Sequence, residues 1–266
     1  MEIKKLTFSY RDKSFIKGLS GKIEKGKITT ILGPNGCGKS TLLNLLVNQL
    51  KPQGGQILLN GTDIKRIPLK EMAKSVAMVH QQNAVPSDIT VERLVEFGRM
   101  PHQTMFSSED EAGDSVVKWA LSVTNLEHMA KKRVGQLSGG ERQRAWIALA
   151  LAQKTDILFL DEPTTYLDIF YQMEILTLVR RLNREYGMTI VMVLHDINQA
   201  MQFSDNLIIM KHGSICYAGD VEGGITEARL KEVYGINALI KWSKHNNCPY
   251  IIPIVEQEEY EHAEAM

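Results

Sequence analysis

The chain has 266 residues and a mass of 30.0 kDa, and its 31 Lys+Arg balance 31 Asp+Glu. That length suits one large core with at most a small subdomain. Charge neutrality argues against a nucleic-acid binder that relies on bulk electrostatics. Cys37, Cys216 and Cys248 are scattered with no C-x-x-C spacing, which argues against a disulfide framework or zinc site and fits a reducing cytosol.

Residues 1–80 read as short strands around one long helix. IKKLTFSY and GLSGKIEKGKITTILG alternate apolar and polar positions with glycine punctuation. TLLNLLVNQL has helical spacing and is expected to stop before Lys51-Pro52. QILLNGTDI and SVAMVH read as further strands, the first turning at Asn60-Gly61. From Ala84 to Gln136 the pattern is helical, through TVERLVEFGRM, EDEAGDSVVKWALSVTNL and EHMAKKR. DILFLDEP and MTIVMVLHD then read as strands buried on both faces, with the amphipathic helix YQMEILTLVRRLNREYG between them. LIIMKHGSICYAGD reads as a hairpin, VEGGITEARLKEVYG as a helical appendage and CPYIIPIV as a late strand. The acidic end EQEEYEHAEAM is expected to be a solvated tail. The start shows no apolar signal-peptide core, and no apolar run nears the roughly 18–20 residues that span a bilayer.

GPNGCGKST, Gly33 to Thr41, matches G-x-x-x-x-G-K-[ST] and lies between a strand and a helix. Gly33, Gly36 and Gly38 let the backbone turn so that N–H groups around Pro34, Asn35 and Cys37 face phosphate oxygens, aided by the start of the helix. Lys39 should reach the β- and γ-phosphates, and Ser40, beside Thr41, should ligate Mg²⁺. The Cys37 thiol is expected beside bound phosphate, where a maleimide would block nucleotide entry. Asp161 ends the ILFL strand, where a carboxylate can hold Mg²⁺, with Glu162 next to it. Ser138, Gly139 and Gly140 offer a hydroxyl and bare N–H groups at a helix start, a second anion-binding site.

LSGGERQR (Leu137 to Arg144), set between the P-loop and ILFLDEP and followed by VLHD, resembles the signature of ATP-binding cassette (ABC) ATPases over residues 1–254. The resemblance implies an α/β fold: a P-loop NTPase core of RecA-like mixed sheet and flanking helices, an antiparallel β subdomain and an inserted α-helical subdomain. The expected division is a catalytic core of 1–83 and 151–240, a helical signature subdomain of 84–150 and a tail of 255–266. It implies that Glu162 polarises the attacking water and that His195 contacts the γ-phosphate. Gln81, followed by Pro86, would sense Mg²⁺ and the γ-phosphate, and Tyr10 would stack on adenine. ATP would be sandwiched between two copies, the signature of one closing over the P-loop of the other, with Asp168 crossing the interface.

ITVERLVEFGRMPH and the stretch from DEPTTYLD to the switch region resemble ATPase subunits of bacterial importers for ferric siderophores, heme and cobalamin. That implies a cytoplasmic subunit on the inner face of the membrane, bound to an integral-membrane permease and served by an extracytoplasmic binding protein. Nucleic acid is not an expected partner. Contact with the permease is expected between Gln81 and His102, with Arg99 and Glu92 as surface residues. A ferric siderophore is the expected cargo; heme, cobalamin, a metal oxyanion and an amino acid remain open.

Overall fold

The computed structural model describes residues 1–10, 13–83, 87–103 and 111–254. Pro86 and the acidic tail lie outside these residues. The chain opens with β1 (Glu2–Tyr10), β2 (Lys13–Lys22) and β3 (Ile28–Leu32), then α1 (Lys39–Leu46), β4 (Gly54–Leu59), β5 (Thr62–Asp63), α2 (Leu69–Ser75) and β6 (Val76–Val79). The helical stretch holds α3 (Val91–Glu96), a 3₁₀ helix (Phe97–His102), α4 (Glu111–Val123) and α5 (Gly139–Ala152). The chain then forms β7 (Ile157–Asp161), α6 (Ile169–Tyr186), β8 (Thr189–Val193), α7 (Ile197–Phe203), β9 (Asn206–Lys211) and β10 (Ser214–Asp220). It ends in α8 (Val221–Gly224), α9 (Glu227–Tyr234), β11 (Asn237–Ser243) and β12 (Cys248–Ile254).

The central sheet has the order β10-β9-β3-β8-β7-β6, with β10 antiparallel and the rest parallel. An antiparallel sheet, β2-β1-β4-β5, packs on one side. The apolar runs are continuous because both faces are covered: β7 sends Ile157 and Phe159 toward α1 and the antiparallel sheet, and Leu158 and Leu160 toward α5 and α6. Register decides where the loops emerge. Ile31 lies opposite Val193, Val193 opposite Asp161, and Leu160 opposite Val79. The loops after β3, β6, β7 and β8 therefore leave one carboxyl edge, where ligands bind in open α/β sheets.

Two sequence expectations need correction. α1 ends at Leu46, well before Lys51, because Asn48 adopts a left-handed φ of 63° and the Gln49 and Leu50 N–H groups turn back to the Asn44 carbonyl. α2, α7 and β11 are elements that the pattern did not reveal. Among the described residues no helix is long and apolar enough to cross a membrane.

Candidate active site

The P-loop joins β3 to α1. Gly33 has a φ of 148°, and a Cβ there would come within 2.3 Å of the Met210 carbonyl and 2.7 Å of Cys37 Sγ, so only glycine fits. Gly38 at the start of α1 also needs its left-handed φ of 109°. Lys39 is buried, and its Nζ donates to the carbonyls of Gly33 at 2.8 Å and Pro34 at 3.2 Å. Ser40 Oγ donates to Asp161 Oδ1 at 3.1 Å, joining the first turn of α1 to the end of β7. Burial pushes the Asp161 carboxyl above its usual range, and the Ser40 hydroxyl opposes that shift.

Glu162 sits just past β7 in the left-handed region, φ 51°. Its Oε1 accepts from His195 Nε2 at 2.7 Å, and its Oε2 accepts from Gln81 Nε2 at 2.6 Å and Thr165 Oγ1 at 3.1 Å. Loops after β6, β7 and β8 thus meet on one carboxylate. The cleft around these groups, about 490 Å³, is lined by Asn35, Gly36, Gly38, Lys39, Ser40 and Thr41 on one side and by Gln81, Glu162, Thr165, Tyr166 and His195 on the other, with Phe15 at its margin. The Ser40 and Asp161 oxygens form a hard two-oxygen pair. Such a pair suits Mg²⁺, which keeps several waters and takes substrate phosphate oxygens rather than a full protein cage.

Tyr10 stands beside this cleft, its hydroxyl 3.3 Å from Thr41 Oγ1 and its ring edge-on to Phe8 and Phe15. Phe15 and Thr165 were missed from the sequence, and only Thr165 left a signal, lying one turn past Glu162; Tyr166 belongs to the DEPTTYLD stretch already singled out. The Cys37 expectation is corrected: the thiol is 3% exposed and packs among Ile31, Leu42 and Met210 under the loop, so it does not face the cleft. Burial raises its pKa. Tyr234 of α9 reaches the same place, its hydroxyl against the Gly33 backbone and its ionisation pushed up by burial.

Ser138, Gly139, Gly140 and Asp168 do not line the cleft. Ser138 caps α5, accepting from the Glu141 N–H while Glu141 Oε2 accepts from the Ser138 N–H at 2.7 Å. Asp168 caps α6 through the Tyr171 N–H. Gly140 lies against the Tyr171 ring, where an added Cβ would come within 2.3 Å. Asp196, after His195, caps α7. Arg99 and Glu92 are both half-buried: Arg99 Nη1 donates to the Ala152 carbonyl at 2.9 Å, and Glu92 pairs with the exposed Lys131.

Fold, loop and carboxylate cluster together define a P-loop nucleoside-triphosphate hydrolase. Residues 16–165 match the family model described as ABC transporter. The chain is 44% identical over 236 residues to the petrobactin import ATP-binding protein FpuC of Bacillus anthracis, covering 89% of this chain and 87% of that one. It is 43% identical over 249 residues to the iron(3+)-hydroxamate import ATP-binding protein FhuC of Bacillus subtilis, covering 94% and 93%. The dimeric ATP-binding cassette MJ0796, solved in a post-hydrolysis state bound to ADP and Pi, superposes with a TM-score of 0.71 at 29% identity, over 83% of this chain and 98% of that one. The chain belongs to the ABC transporter family and is an ATP-binding, ATP-hydrolysing member of it.

Proposed function

We propose that this protein is the Mg²⁺-dependent ATPase subunit of a bacterial importer for iron chelates, with a ferric siderophore as cargo. Glu162 carries the reading of the chemistry: one carboxylate is addressed by three loops at the edge of a P-loop cleft. In this assignment the P-loop N–H groups and Lys39 hold the phosphates, and Tyr10 with Phe15 borders the adenine. Ser40 and Asp161 hold Mg²⁺, which when bound neutralises charge on the phosphate oxygens. Glu162 orients and polarises the attacking water. Gln81 and His195 fix Glu162 and read the γ-phosphate. Ser138 to Gly140 lie outside the cleft of their own chain, which supports their service to the nucleotide of a second copy, with Asp168 and the 86% exposed Tyr166 at the junction.

The helical segment 84–150 would be the part that meets an integral-membrane permease, at the cleft bordered by α3, the 3₁₀ helix and α4. The protein would then lie on the cytoplasmic face of the membrane, with an extracytoplasmic binding protein on the other side. The iron-chelate cargo rests on the import functions named for FpuC and FhuC. Light scattering on Glu162→Gln tests the mechanism. The variant should bind MgATP, hydrolyse it at least about a hundredfold more slowly and accumulate as an ATP-bound dimer. Wild-type turnover by this variant would remove Glu162 from the catalytic role.

A further inference from the structure

The GRMPH stretch, Gly98 to His102, falls in the 3₁₀ helix and lines no part of the nucleotide cleft. Gly98, Arg99 and His102 converge on one target, the C-terminal end of α5. A Cβ on Gly98 would come within 2.2 Å of the Leu149 carbonyl and 2.8 Å of Ala152 Cβ, so the two helices are in backbone contact. Arg99 Nη1 donates to the Ala152 carbonyl at 2.9 Å, and His102 Nε2 donates to the Gln153 carbonyl at 2.7 Å. The last carbonyls of a helix have no partner within it and carry its negative dipole end. Here that end is held by an Arg and a His of one short segment.

The other end of α5 is Ser138-Gly139-Gly140. A helix of 14 residues is a rod of about 21 Å. Its buried side, Ala145, Ile147, Ala148 and Leu151, locks it along its length. Arg99 also lines the cleft of about 450 Å³ that Phe97, Met100, Asp114 and Val117 share, so one side chain belongs both to that cleft and to the α5 clamp. We propose that Arg99 and His102 are positioning residues that fasten the C-terminal end of α5 to the wall of this cleft and so hold the signature residues, at the opposite end of the rod, in place for the nucleotide of a second copy. This rests on the sandwich reading above. It ties the wall of that cleft to the signature through one 14-residue helix.

The test uses full-length protein carrying Glu162→Gln, in which MgATP drives the dimer. In that background R99M/H102A should raise the ATP concentration for half-maximal dimer by about threefold or more, the scale of a lost charged helix cap. Binding of a fluorescent ATP analogue to the monomer and the Tm should remain close to the parent. R99K/H102Q, which can still donate to both carbonyls, should restore the parent midpoint. An unchanged midpoint in R99M/H102A overturns the clamp. So does a parallel loss of analogue binding and Tm, which would make the contacts merely structural. If the Glu162→Gln parent itself forms no dimer with MgATP, the sandwich fails, and the clamp fails with it for that separate reason.

Discussion

Glu162 is held in a backbone region that non-glycine residues rarely adopt, and three donors fix its carboxylate there. Thr165 is the one of the three that also belongs to the same turn, since the Thr165 N–H donates to the Glu162 carbonyl at 3.2 Å. Thr165→Val should keep the shape and the backbone bond but remove the hydroxyl donor. Its kcat should fall by about tenfold with the KM for ATP nearly unchanged, because a misaimed base is felt mainly in the transition state. Steady-state ATPase measurements decide this, and a rise in KM at constant kcat would contradict it. At Cys37 the structure reverses the expected chemistry. Burial and a raised thiol pKa lower the thiolate fraction, while Cys216 is exposed. Maleimide at neutral pH should label Cys216 quickly and Cys37 only after unfolding, with or without MgATP, as peptide mapping would show. The direction of the Cys37 side chain was illegible in the sequence because a loop has no periodicity to assign its faces.

At the scale of elements, the signature is first a helix start. Ser138 and Glu141 form a reciprocal capping box, so Ser138→Ala should cost about 1 kcal/mol in urea unfolding, apart from any effect on turnover. The Ser138 backbone N–H, aided by the Ser138 hydroxyl and Lys132, holds the Glu141 carboxyl below its usual value of 4.5. A depressed carboxylate pKa stabilises the fold above the unfolded value and loses that contribution as pH falls through the folded one. The stability gap between wild type and Glu141→Gln should therefore be widest near neutral pH and close below pH 4.5, as denaturation at a series of pH values would show. Legibility follows the same physics. β3, β7 and β8 are buried at every position and read from their apolar runs. α7 was hidden because its cap, Asp196, was absorbed into the VLHD motif, and its seven residues span barely two turns. β11 was hidden because Asn237, Lys241 and Ser243 interrupt its apolar residues on a partly exposed hairpin.

At the scale of the molecule, the proposed site is two halves set apart on one chain. The cleft brings Lys39, Ser40, Gln81, Glu162 and His195 together, with Asp161 hydrogen-bonded to Ser40, because parallel register levels the loops that carry them. The signature and Asp168 are instead packed against each other through Gly140 and Tyr171, and no reading of spacing could show which chain they serve. The cargo is equally remote from any side chain here, since an ATPase subunit drives a pore without touching what passes through it. The prediction therefore belongs to the cell. Deletion of the gene should abolish growth on a ferric siderophore as iron source, and excess free iron should restore it. Met100, 64% exposed on the cleft beside Arg99, supplies the link between cell and molecule. Met100→Glu should leave the ATPase rate of the isolated protein close to wild type yet fail to rescue the deletion, because a charge would be set into the surface proposed to meet the permease. Normal siderophore uptake in the deletion strain, with a defect for an oxyanion or an amino acid instead, would overturn the cargo and leave the ATPase chemistry standing.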